Sequence, residues 1–192
     1  PIARDAFWAL LIDLARRAVD GWKARPLVRG FEHDWTLVDG LGSTLWFVTN
    51  WQAPLYRLMA FDLAEPQGAW RELVGEHAEK LERGRIIGNK LILSYLKDAV
   101  THALIYDLAG QPTTAIALKG IGTASGFNGR PGDPETFYSF TSFNQPPAVY
   151  RMNIATGETQ PFAEPALAFD PAAYDIDQRF YRWLLAKERV RF

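Results

Sequence analysis

The sequence predicts an all-β chain of repeated four-stranded antiparallel sheets, and three observations predict it. A phrase that runs apolar and ends in Asp-Leu-Ala, or a close variant, recurs at Leu10–Ala15, Met59–Ala64, Leu104–Ala109 and Arg151–Ala155. Its polar members Asp13, Asp62, Asp107 and Asn153 stand 49, 45 and 46 residues apart. A second landmark keeps the same phase, because Leu45-Trp46-Phe47, Leu91-Ile92-Leu93 and Phe137-Tyr138-Ser139 begin 46 residues apart each time. Turn residues then cut each repeat into four short apolar stretches, and four strands per roughly 45 residues is the unit of a β-propeller blade.

Taken in order, residues 1–21 are an atypical lead-in that carries a first, incomplete blade. Phe7, Leu10, Leu11, Leu14 and Ala18 fall near one helical face, yet the repeat phase makes Trp8–Asp13 a strand, and the strand is the preferred reading. Blades occupy residues 22–168, with Lys23–Val28 closing the incomplete one. The first complete unit reads as strands at Trp35–Val38, Thr44–Thr49, Tyr56–Asp62 and Trp70–Val74, broken at Asp39-Gly40, Gln52-Ala53-Pro54 and Pro66-Gln67-Gly68. The second reads as Leu81–Ile87, Lys90–Leu96, Thr101–Asp107 and Pro112–Leu118, the third as Ile121–Asn128, Thr136–Phe143, Ala148–Asn153 and Glu158–Phe162. Residues 169–192 form an exit segment in which Arg182–Glu188 reads as an amphipathic helix. The result is about three and a half antiparallel blades with short helical ends, too few to close a ring of roughly four to eight. Their outermost faces and edges therefore require a cover.

Composition agrees. Apolar residues make up 48% of the 192 and aromatic residues 14%, with seven Trp and twelve Phe, which favours packed strands over disorder. Lys plus Arg (21) balances Asp plus Glu (22), so no long-range field draws the chain to nucleic acid or to an anionic membrane. No stretch reaches the roughly 20 apolar residues of a membrane span, and Phe7–Ile12 is too short for a secretory signal. Cysteine is absent, which removes disulfides, thiolate metal sites and cysteine nucleophiles and fits a reducing compartment. The expected location is the cytoplasm, with the periplasm as the alternative.

Several phrases carry a resemblance to a known family. Thr49-Asn50-Trp51-Gln52-Ala53-Pro54-Leu55-Tyr56-Arg57-Leu58 reads as a hairpin between the second and third strands of one blade. Trp70–Val74 with Glu76-His77, Leu93–Ala99, Gly122–Phe127, Glu135–Phe143 and Tyr150-Arg151 follow in order and spacing. Over about residues 22 to 181 these resemble the later blades of the N-terminal seven-bladed propeller of the prolyl oligopeptidase (prolyl endopeptidase) family of serine peptidases. The resemblance implies a propeller inserted in an α/β-hydrolase domain, with Phe180-Tyr181 leading the chain back into it. It implies that the hydrolase part holds the Ser, Asp and His that cleave after proline, and that the propeller covers the active site as a size filter for short peptides.

No residue of that triad can be carried onto this sequence. A nucleophile elbow reads G-x-S-x-G, and none of Ser43, Ser94, Ser125, Ser139 or Ser142 sits in one; Gly122-Thr123-Ala124-Ser125-Gly126 has the wrong spacing and falls on an inner strand. His33, His77 and His102 lie at unequal phases of the repeat and read as locally bonded side chains, not a metal site. Gly40-Leu41-Gly42-Ser43 reads as a hairpin turn, since no strand-to-helix step follows it. Gly129–Glu135 reads as a strand connection, a rim ligand site being the minor alternative. The recurring Asp is expected to accept backbone N–H bonds in the turn that follows it, and Arg57 and Arg151 to pair with nearby carboxylates. Trp46, Phe47, Tyr138, Phe140 and Phe143 are expected to pack between blades.

Catalytic, cofactor and metal residues are thus expected to be none. The expected function is that of the non-catalytic propeller portion of a prolyl oligopeptidase-like peptidase, inactive by itself. Its partners would be an α/β-hydrolase domain, or a second copy of the chain, and short proline-containing peptides. The alternatives are a stand-alone scaffold that closes as a homodimer of half-rings and an inactive gene remnant.

Overall fold

The computed structural model describes residues 27–28, 30–65 and 70–180. Twelve strands form three separate four-stranded antiparallel sheets in simple up-and-down order. Blade 1 holds β1 (Trp35–Leu41), β2 (Thr44–Thr49), β3 (Arg57–Asp62) and β4 (Trp70–Val74). Blade 2 holds β5 (Lys80–Ile87), β6 (Lys90–Lys97), β7 (Val100–Tyr106) and β8 (Pro112–Ala115), and blade 3 holds β9 (Thr123–Asn128), β10 (Glu135–Ser142), β11 (Gln145–Asn153) and β12 (Thr159–Ala163). All twelve lie where the repeat placed them.

Local chemistry sets the hairpins. A two-residue turn that matches strand twist takes positive φ at its first position or at both, and Gly88 and Asn89 supply it at both between β5 and β6, at +58° and +56°. Between β6 and β7 the same geometry falls on Asp98 and Ala99, at +52° and +62°. Gly42, at +62°, turns β1 into β2, so Gly40–Ser43 is a hairpin. The recurring polar residue does what its position suggests. Asp62 Oδ1 accepts the Ala64 N–H at 2.8 Å, Asp107 Oδ1 accepts those of Ala109 (2.9 Å) and Gln111 (2.8 Å), and Asn153 Oδ1 accepts those of Ala155 (2.9 Å) and Thr156 (3.1 Å). Each is a side chain closing the turn after the third strand.

Side chains on a strand alternate between faces, and here both faces of the middle sheet are apolar. Along β6, Leu91, Leu93 and Tyr95 turn to blade 1 and join Trp46, Val48 and Leu58 in one seam. Ile92 turns the other way and joins Phe127, Tyr138, Phe140 and Tyr150 in a second seam with blade 3. Burial pushes the Tyr95 hydroxyl well above its ordinary range, assisted by its contact with the Tyr106 hydroxyl at 3.3 Å. A third cluster covers the far face of blade 1, where Trp35, Phe47 and Trp70 pack ring against ring and Leu27 and Val28 lie over them.

Some expectations end differently. Lys23–Val28 is not seen as a strand: Leu27 and Val28 are in a bend, and the remainder lies outside the described residues. The strand over Trp8–Asp13 and the helix over Arg182–Glu188 also lie outside them. Tyr56 precedes β3 at φ +68° instead of opening it. The fourth strand of blade 2 ends at Ala115, although Ile116 is still buried in the second seam. Phe143, expected to pack between blades, is 96% exposed because it stands past the end of β10 in the turn to β11. Among the described residues the only helical turn is a single 3-10 turn at Pro171–Ala173.

Candidate functional site

The three sheets fan about a common edge. The first strands converge, β5 touching both β1 and β9, whereas the fourth strands β4, β8 and β12 make no comparable contact with one another. That convergence makes β1, β5 and β9 the inner wall of the array. Close approach at this edge needs a missing side chain. Gly84 supplies it, since a Cβ there would lie 3.0 Å from Val38 Cγ2 and 3.1 Å from Leu93 Cδ2.

Each inner strand is also interrupted once in its pairing with the second strand. Register jumps from Leu37 to Asp39 in β1 and from Leu81 to Arg83 in β5, and in β9 from Asn128 to Gly126, leaving Val38, Glu82 and Phe127 as extra residues. A bulge re-aims the side chains around it and sharpens strand twist. Val38 and Phe127 are buried in the two seams, Phe127 stacking on Tyr138 with ring centroids 4.8 Å apart. Glu82 is exposed. The sequence offered a faint signal for these bulges, their spacing of 44 and 45 residues, but the aperiodic Leu81-Glu82-Arg83-Gly84-Arg85 alone does not disclose it.

Between β5 and β9 lies a polar cleft of about 350 Å³, walled by Glu82, Arg83, Ser94, Thr101, Thr123 and Ser125. Thr101 fixes its floor: its N–H donates to the Gly122 carbonyl at 3.1 Å, and its buried hydroxyl accepts the Ala124 N–H at 3.1 Å. Arg83 and Arg85 stand opposite Ser94 and Ile92 of β6, and so on the side of β5 turned to blade 3. Neither arginine has an ion-pair partner among the described residues. Arg85 donates to the Gly84 carbonyl at 3.2 Å. Burial, and then the Arg83 charge, depress the Arg85 guanidinium below its ordinary value, with Asp39 acting in the opposite sense.

The other residues marked in the sequence do not converge on this cleft. His33 and His77 are exposed, and His102 Nδ1 lies 2.8 Å from Glu79 Oε2 on the surface of blade 2. Among the described residues no three His, Asp or Glu side chains are placed to share a metal. Ser142 donates to Asn144 Oδ1 at 2.8 Å. Arg57 pairs with Glu72 at 2.7 Å and Arg151 with Glu135 at 3.8 Å, as expected. The loop at Gly129–Glu135 is a buckle between blades, its Arg130 and Pro131 carbonyls accepting the Gly88 (3.3 Å) and Asn89 (2.6 Å) N–H groups.

At the opposite end, the exit segment straps the two later blades. Asn144 Nδ2 donates to the carbonyls of Pro171 (3.1 Å) and Tyr174 (3.0 Å), and Gln178 Nε2 donates to the Asp98 carbonyl. Nothing in the sequence distinguishes Asn144 from any other turn residue.

Comparison with known proteins decides the kinship. Residues 8–165 match the family described as the prolyl oligopeptidase N-terminal β-propeller domain. The chain belongs to the prolyl oligopeptidase family. The prolyl endopeptidase of Elizabethkingia meningoseptica is 33% identical over 157 residues, covering 81% of this chain and 22% of that relative. A solved structure from a study of two prolyl endopeptidases, concerned with inter-domain dynamics in catalysis and specificity, superimposes with a TM-score of 0.71 at 42% identity, over 80% of this chain and 23% of that one. Galerina marginata prolyl oligopeptidase B, in its apo form, shares the fold with a TM-score of 0.72 at 22% identity, over 80% of this chain and 22% of that one. The chain thus spans about a fifth of the length of the prolyl oligopeptidases it matches, and the match falls on their propeller.

Proposed function

We propose that this chain serves as the non-catalytic propeller portion of a prolyl oligopeptidase-like peptidase and filters short proline-containing peptides by size. In this reading an α/β-hydrolase domain supplies the Ser, Asp and His, and the blades restrict access without doing chemistry. The observation that carries it is the division of labour within each sheet. The seams between blades are packed and apolar, while the converging inner strands present Glu82, Arg83 and Ser125 to a polar cleft. A passage lined this way admits a hydrated peptide and offers the hydrolase chemistry no nucleophile of its own.

The test has two arms. Alone, the purified chain should not cleave a proline-containing chromogenic peptide above background. Added to a prolyl endopeptidase hydrolase domain lacking its own propeller, it should suppress cleavage of long peptides more than short ones. Turnover by the chain alone, or equal effects on both lengths, overturns the reading.

One observation favours a second reading, a stand-alone half-ring closed by a second copy. On the outer face of blade 3, Phe137 and Phe162 meet edge to face at 4.9 Å while staying 37% and 63% exposed. Exposed aromatic pairs of this kind seek a cover. A solution mass equal to one chain, with a cooperative melt, removes this alternative.

A further inference from the structure

We infer that the cleft between β5 and β9 is a binding site for the C-terminal carboxylate of a peptide, with Arg83 as its principal ligand and Arg85 as a second charge behind it. The inference rests on the peptide-filtering reading and adds a chemical preference to it.

The argument begins with charge. The bulge at Glu82 shifts the register so that Arg83 and Arg85 emerge on one side of β5, both toward blade 3. Elsewhere on the described surface some cations of the sheets have carboxylate partners, while Arg71, Lys80 and Lys90 stand singly without one. Arg57 sits on Glu72, Arg151 on Glu135 and Lys119 on Glu164. On the inner wall two guanidinium groups are neighbours and, among the described residues, neither has a carboxylate within ion-pair reach, although Glu82 is adjacent in sequence and Asp39 of β1 acts on Arg85. Like charges so placed repel, and an anion held by Arg83 in the cleft relieves that repulsion, Arg85 acting from outside the lining.

Geometry selects the kind of anion. A guanidinium presents parallel N–H donors that fit a planar carboxylate in a two-point contact. The cleft adds hydroxyl donors from Thr123 and Ser125 on the facing strand and Ser94 on the floor side. Gly126, at φ +106°, leaves its stretch of β9 without a side chain to crowd a bound main chain. Exposed Glu82 at the rim completes the pattern, since it can accept N–H groups from a peptide whose carboxylate is held by Arg83. The volume of about 350 Å³ suits two or three terminal residues and not a folded protein.

The test compares one short proline-containing peptide in two forms, with a free C-terminal carboxylate and with a C-terminal amide. Each is titrated into the full chain at low salt by calorimetry or NMR. The acid form should bind about tenfold more tightly than the amide, because a charge-assisted two-point contact is lost in the latter. Arg83→Gln should abolish that preference and Arg85→Gln should reduce it, both variants keeping the parent far-UV spectrum. As a control on the residue and not the fold, Arg83→Lys should restore part of the preference. Equal binding of acid and amide, binding of neither, or an Arg83→Gln chain that still discriminates overturns the site. The filtering reading is tested apart from it. In the two-part assay the Arg83→Gln chain should still exclude long peptides, so loss of exclusion by the parent chain sinks that reading, whereas loss of acid preference sinks only this one.

Discussion

Blade 2 and blade 3 share the up-and-down order of four antiparallel strands, yet one is buried on both faces and the other on one. Along β6, successive residues feed alternate seams, Leu91, Leu93 and Tyr95 to one side and Ile92 to the other. Along β10, Tyr138 and Phe140 are buried against blade 2, but Phe137 on the opposite face is left partly exposed. Since both sheets carry apolar side chains on both faces of their second strand, burial here is conferred by the neighbour and not by the sheet. A blade is half of two interfaces, and its stability depends on how many of them are filled.

That contrast can be broken by mutation, beginning with the largest effect. Leu93→Ala in the first seam should cost about 2–5 kcal/mol in denaturant unfolding, as a fully buried leucine facing a packed neighbour does. A loss below about 1 kcal/mol would mean that the seam is not close-packed. Next comes Gly110→Ala. The residue sits at φ +85°, and its Cβ would collide with the Leu73 carbonyl oxygen of blade 1. The combined strain and displacement should cost about 1–3 kcal/mol by the same measurement.

Smaller effects sharpen the comparison. Asp107→Ala removes an acceptor for two turn N–H groups in blade 2 and should cost about 1 kcal/mol, read from the denaturation midpoint. Phe137→Ser on the open face should cost no more than about 1 kcal/mol, the order of its edge-to-face contact with Phe162, and improve solubility. A cost of about 2 kcal/mol or more at Phe137 would mean that a second chain covers this face in solution and would strengthen the half-ring reading.

The strands were legible because two signals coincided, a period near 46 residues and turn residues at every quarter of it. Gly88-Asn89 and the Asp107 turn could be read directly, since each carries its conformational reason in its side chain or lack of one. The inner wall could not. A bulge adds one residue and breaks the polar-apolar alternation, and in strands as short as β1 and β9 a broken alternation does not reveal the slip at Val38 or Phe127. Positive φ at Tyr56, Ala99 and Phe127 was equally silent, because these residues adopt it under tertiary constraint and not by propensity. Phe143 misled for a related reason, its aromatic ring matching the strand phase although the strand had already ended. The arginines of the cleft were therefore visible as letters but not as a pair.

The extra residues of the inner strands also give the array a direction of failure. Blades 1 and 3 each drive an unpaired side chain, Val38 and Phe127, into a seam with blade 2, while the unpaired Glu82 of blade 2 goes into neither. The central sheet is gripped from both sides and grips nothing in return at these points. Mechanical pulling or partial denaturation should therefore peel the outer sheets away one at a time, and the middle sheet should be the last to come free.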